Sequence, residues 1–195
     1  MTDTTITNQL DEDLYSRQLY VLGRDAMQKM SQSHVLICGL GGLGVEIAKN
    51  VILSGVKQVT LFDSKEVSMA DIGTQFYLSE TNLGENRAEA SRNKLAELNP
   101  NVKVDASTIS LNKEFLSNYS VVIATETGDE QRIILNQMCR DVSVKYIDAD
   151  THSVFGRIFV DFGDNFVVND VDGEQEKTSH LAQLEFVEDY VEITC

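Results

Sequence analysis

Residues 35–38, Val-Leu-Ile-Cys, form a short apolar run with no polar interruption, the pattern of a strand buried on both faces of a parallel sheet. Residues 45–53 then place apolar side chains at helical spacing, and a second apolar, β-branched run at 59–62 ends in Asp63. The same alternation continues downstream. Helical patterns are predicted over 15–30, 85–98 and 129–140, with a helical turn over 113–119. Strands are predicted over 102–108, 121–125 and 144–147. Strands alternating with amphipathic helices predict an α/β fold: a doubly wound, mostly parallel Rossmann-like sheet with helices on both faces. The rhythm changes after His152, where 154–160 and 166–168 read as two strands of an antiparallel edge hairpin. A further strand is expected from Val191 to Cys195.

Between the first strand and the first long helix lie Gly39, Gly41, Gly42 and Gly44, spaced G-x-G-x-x-G. Inside a strand, glycine turn, helix, strand and terminal acid, this spacing is the signature of a nucleotide-binding βαβ unit. Gly39 permits the tight turn. Gly41 lets backbone approach a phosphate, and Gly44 lets the helix pack on the strand. The helix N-terminus offers free N–H groups to an anion. Asp63, about 20 residues past the glycines, is placed to accept ribose hydroxyls. The alternative is that the glycines serve only helix–sheet packing and that Asp63 caps a strand.

Composition narrows the partners. The 195 residues carry a net charge of −15, which argues against nucleic acid and anionic membranes. From Asp161 onward ten acids face one base, Lys177, which makes a solvated acidic face or a surface for a basic partner. No stretch approaches the ~20 apolar residues of a membrane span, and residues 1–13 read as a polar, flexible leader rather than a signal peptide. The chain is therefore expected inside the cell, with no membrane partner. Cys38, Cys139 and Cys195 form no metal or disulfide pattern, and His34, His152 and His180 do not cluster, so no metal site is expected.

Four segments together resemble the ubiquitin-activating enzyme family, in its N-terminal adenylation half. They are Leu14-Tyr15-Ser16-Arg17-Gln18-Leu19-Tyr20-Val21-Leu22-Gly23, the loop and helix from Gly39 to Lys49, Thr74-Gln75-Phe76, and the stretch from Phe155 to Gly173. The resemblance implies a division into leader (1–13), adenylation domain (14–168) and the start of a small β domain (169–195). In that family two related halves face each other. One binds ATP and magnesium and adenylates the C-terminus of ubiquitin; the N-terminal half is degenerate. The resemblance also implies that Arg17 reaches across the interface to phosphates bound in the other half. The expected partners are that active half and ubiquitin, in cytoplasm and nucleus.

Aligned on the family, Asp63 fits the ribose acid, but Lys65 stands where a second acid is expected and Asp71 where an Asn is. Thr74 replaces the Arg before Gln75, Arg87 stands near the expected Lys, and Glu126 takes the place of the metal-binding Asp. Losing a bidentate clamp and gaining a repelling carboxylate disfavours a triphosphate. The expectation is that this segment binds no cofactor and that Gly39, Gly41, Gly42, Gly44 and Asp63 are vestigial. Other readings are a free-standing adenylating enzyme for a ubiquitin-like or sulfur-carrier protein, and the regulatory subunit of a SUMO or NEDD8 activator. An NAD-dependent oxidoreductase also shares the glycine spacing, but no Tyr-x-x-x-Lys pair accompanies it.

Overall fold

A computed structural model describes residues 13–167 and the backbone of two strands at 183–187 and 190–194. The chain divides into two units, Met1–Asp164 and Asn165–Cys195. In the first unit the elements run α1 (Ser16–Leu22), α2 (Arg24–Met30), β1 (His34–Cys38), α3 (Gly42–Leu53), β2 (Gln58–Phe62), α4 (Met69–Thr74), α5 (Arg87–Ala96), β3 (Lys103–Ser107), α6 (Lys113–Leu116), β4 (Val121–Thr125), α7 (Asp129–Asp141), β5 (Lys145–His152) and β6 (Phe155–Asp161). They build a six-stranded sheet of order β3-β2-β1-β4-β5-β6. All pairings are parallel except β5 with β6. The apolar run at 35–38 therefore lies at the centre, between β2 and β4, and the chain reverses its winding there.

Alternation along β1 divides the core. Val35 and Ile37 pack with Val45, Ala48 and Ile52 of α3 and with Ala88 and Leu95 of α5. Leu36 and Cys38 pack on the other face with Leu116, Tyr119, Leu135, Cys139 and Tyr146. Both faces of β1 are covered from Val35 to Cys38, which is why that run lacks polar residues.

Two expectations need correction. The helical pattern over 15–30 is broken at Gly23, whose φ of 80° lies outside the helical region, so α1 and α2 are separate. The edge hairpin is not formed by 154–160 with 166–168. Its strands are β5 and β6, with His152 opposite Phe155 across the two-residue turn at Ser153 and Val154. Phe166 and Val167 are not in a strand, and Val168 lies outside the described residues. The strand predicted over 144–147 runs on through Asp148 and Asp150 because these acids are neutralised in place: Arg157 of β6 and Arg132 of α7 pair with the buried Asp148, and Arg132 with Asp150.

In the second unit β7 (Gln183–Val187) pairs antiparallel with β8 (Tyr190–Thr194). The strand expected over 191–195 corresponds to β8; Cys195 itself lies outside the described residues.

The segment leading into α1 is bolted to the sheet layer at Tyr15. Its ring lies where a Cβ on Gly55 would stand, and Gly55 itself has a φ of 83°. The Tyr15 hydroxyl accepts from Asn99 Nδ2 at 2.8 Å, and the same amide donates to the Ile52 carbonyl at 3.0 Å. We expect Tyr15→Phe, which leaves one buried N–H of Asn99 unpaired, to destabilise the chain by about 1 kcal/mol. Urea melts of the two proteins check this; equal midpoints would mean that water takes over the bond.

Candidate functional site

The glycine loop joins the carboxyl end of β1 to α3, and every glycine in it is pressed by a neighbour. Gly39 has a φ of 89°, and a Cβ there would meet the Thr125 backbone. A Cβ on Gly44 would strike the Gly39 carbonyl, and one on Gly42 would lie 2.7 Å from the Thr74 carbonyl. These three contacts are packing contacts within the fold. Gly41 differs: its missing side chain makes room for the Glu126 carboxylate. Gly41 is the N-cap of α3 and offers no side-chain cap, so a carboxylate rests at the positive end of the helix.

Asp63, at the carboxyl end of β2, is 3% exposed. Its Oδ2 accepts from Leu40 N at 2.6 Å and from Arg87 Nε at 2.9 Å, and its Oδ1 accepts from Lys65 N at 2.8 Å. Both oxygens are engaged by the protein itself.

Arg87 is the centre of the site. Asn86 caps α5, accepting from Ala88 N and Glu89 N, while its amide donates to the Asp63 carbonyl at 2.7 Å. That clamp aims the next side chain at the end of β2. The Arg87 guanidinium, 4% exposed, pairs with Asp63 at 2.8 Å, Asp71 at 2.9 Å and Glu126 at 2.8 Å. Burial works against its charge, but the bond to Glu126, the charge of Asp63 and the bond to Asp71 outweigh that, and its pKa is raised. Asp71 belongs to a capping box at the start of α4, where Ser68 donates to it through backbone and hydroxyl. Burial alone would raise the Asp71 pKa; the Ser68 bonds and Arg87 lower it. Lys65, mostly exposed, adds a second cation 3.3 Å from Glu126.

The remaining residues of the aligned set have structural roles. Gln75 is buried and donates to the Leu40 carbonyl at 2.6 Å, holding the glycine loop from behind. Thr74 is exposed and bonds back to its own helix. A cleft of about 340 Å³ remains at the carboxyl edge of the sheet, lined by Asp63, Lys65, Arg87 and Glu126 of the cage on one side and by apolar residues such as Leu111 and Met138 on the other. Among the described residues no group of three or more His, Cys, Asp or Glu stands in metal-ligating geometry. Cys38 and Cys139 are free and buried. Burial pushes both thiols up, Cys139 to about 12, so neither is a nucleophile at neutral pH.

Asp63 is thus bonded within the protein at both oxygens, a carboxylate lies over Gly41, and the nearby guanidinium pairs with three acids.

Arg17 lies elsewhere. It is exposed on α1 and makes no ion pair among the described residues; Asp13 does not pair with it, and Glu12 is outside them. Arg17 lines a groove with Leu53, Leu98, Asn99 and Pro100. Leu53 is the last residue of α3 and the glycine loop its first turn, so the groove that Arg17 lines lies at the far end of that helix, which is about 18 Å long.

Sequence reasoning found the loop, Asp63 and the aberrant residues around them. It missed that Arg87 and Glu126 bond to each other. The available signal was charge: one Arg beside a helix cap, with acids at three separate places in the chain, two after strands and one in the first turn of α4, able to reach it.

Comparison with known proteins adds relatives. The ThiF family profile matches residues 15–186. The chain is 50% identical over 175 residues to human ubiquitin-like modifier-activating enzyme 1, covering 90% of this chain and 16% of that protein. It is 47% identical over 182 residues to ubiquitin-activating enzyme E1 1 of Schizosaccharomyces pombe, covering 93% of this chain and 18% of that one. The crystal structure of E. coli tRNA N6-threonylcarbamoyladenosine dehydratase superposes with a TM-score of 0.61 at 20% identity, over 70% of this chain and 59% of that chain, a likeness of fold. The chain thus spans less than a fifth of the length of these two relatives. No described helix is long and apolar enough to cross a membrane.

Proposed function

The chain belongs to the ThiF family, and from that membership we propose that it is a nucleotide-free adenylation half, supporting ubiquitin activation performed in another part of a longer protein. The observation that carries this reading is the saturated arginine cage. Arg87 is held by Asp63, Asp71 and Glu126, so the groups that would bind ribose and phosphate bind one another. The identity to ubiquitin-activating enzymes supports the class of reaction.

In this reading ATP and magnesium sit in a partner half, together with the C-terminus of ubiquitin. This chain contributes a docking surface and Arg17. Three features suit Arg17 to act in trans: an always-charged planar fork, exposure without an ion pair among the described residues, and a mount at Tyr15, which Asn99 holds. Such a fork can donate two hydrogen bonds to phosphate oxygens as charge shifts during adenylation. Its distance from this chain's own loop leaves phosphates bound elsewhere as its target.

Titration calorimetry of the chain with ATP and magnesium tests the first part. No binding heat is expected. A micromolar affinity would overturn the reading and return the chain to the class of free-standing adenylating enzymes.

A further inference from the structure

Glu126 stands immediately after β4, and it is one of three non-glycine residues among those described with a positive φ, at 54°. That backbone turn directs its side chain back over the glycine loop. The carboxylate fills the space left by Gly41, takes a hydrogen bond from Arg87 Nη2 at 2.8 Å and lies 3.3 Å from Lys65 Nζ. An anion is thus held between two cations at the uncapped N-terminus of α3. These are the elements that receive a phosphate group: a helix N-terminus, a glycine without a Cβ, a guanidinium and an ammonium.

We propose that Glu126 is a built-in anion occupying the phosphate seat of the glycine loop, and that removing its side chain opens that seat to inorganic phosphate. The inference rests on the nucleotide-free reading and deepens it. Loss of nucleotide from this pocket is then more than loss of ligands: the protein has supplied the charge that the loop and Lys65 require. Without an anion there, Arg87 would keep Asp63 and Asp71, but Lys65 and the first turn of α3 would be left with no carboxylate between them. The ion is tethered, so it needs no free ligand and cannot be exchanged.

The variant Glu126→Gly tests this, because glycine accepts the left-handed backbone and removes the side chain. Thermal melts of the purified 195-residue chain are run in inorganic phosphate and in chloride of equal ionic strength, alongside wild type and Glu126→Gln. Wild type and Glu126→Gln, whose amide still fills the seat, should gain equally from phosphate through its general effect on stability. Glu126→Gly should melt lower in chloride and gain about 3 °C or more beyond wild type in phosphate. Phosphorus NMR line broadening by Glu126→Gly but not wild type gives a direct readout, and Glu126→Ala should behave alike. An equal gain for Glu126→Gly and wild type, with no line broadening, would overturn the proposal. Its failure is separable from failure of the nucleotide-free reading, which would appear as ATP binding by the wild type.

Discussion

Replacing Arg87 by methionine is expected to lower the stability of the chain by about 3–5 kcal/mol, the range for removing one partner of a buried ion cluster. Asp63 and Arg87 are both nearly fully buried, and Asp71 is largely so. Without the guanidinium three carboxylates converge on a site with only the exposed Lys65 to offset them, and each charge left in a poorly solvated place is costly. Arg87→Lys should recover only part of the loss, since one ammonium cannot reach three acids from different directions. Urea-induced unfolding of the three proteins measures the difference. A Met variant within about 1 kcal/mol of wild type would mean that water or protonation satisfies the acids and that the cage is incidental.

Arg17→Ala is expected to leave the fold alone and to slow ubiquitin adenylation about 10-fold or more in the full-length protein. That follows from losing a charge-assisted phosphate contact of roughly 1.5–3 kcal/mol. The melting temperature should hardly move, because Arg17 is exposed and pairs with nothing among the described residues. Arg17→Lys should restore part of the rate. Pyrophosphate exchange resolves the chemistry from the later transfer steps. Unchanged exchange kinetics in the Ala variant would end the role in trans.

Much of the architecture could be read before any coordinates. The apolar run at 35–38 marked the central strand because only a strand covered on both faces can be so uniformly apolar. The glycine spacing marked the turn because three different close contacts each exclude a Cβ. Asp63 was placed correctly at the end of β2, but its partners were not legible. The sequence shows an acid at the right distance from the glycines; whether it faces ribose or Arg87 depends on a clamp by Asn86 across 23 residues. Glu126 aligned with a metal-binding position, and only its left-handed backbone, invisible in the sequence, turns it onto Gly41. The hairpin was misassigned for a related reason. Asp148 and Asp150 read as the end of a strand because burial of a carboxylate is costly unless a cation from elsewhere in the fold meets it, and Arg132 and Arg157 do so. At Gly23, apolar periodicity carried across a residue whose conformation breaks the helix.

The two borders of the six-stranded sheet are unlike. β3 ends the sheet with a short strand carrying the Lys103–Asp105 ion pair at 2.7 Å, a charged border that discourages further pairing. β6 ends it with Phe155 76% exposed and Ile158 74% exposed, and among the described residues it has no strand partner on its outer side. A sheet with one permissive border and one guarded border does not propagate by edge pairing. Two copies meeting through β6 would use up each other's free border in a two-fold contact, and the β3 borders left outside would not recruit a third. Self-association through this sheet would therefore stop at pairs.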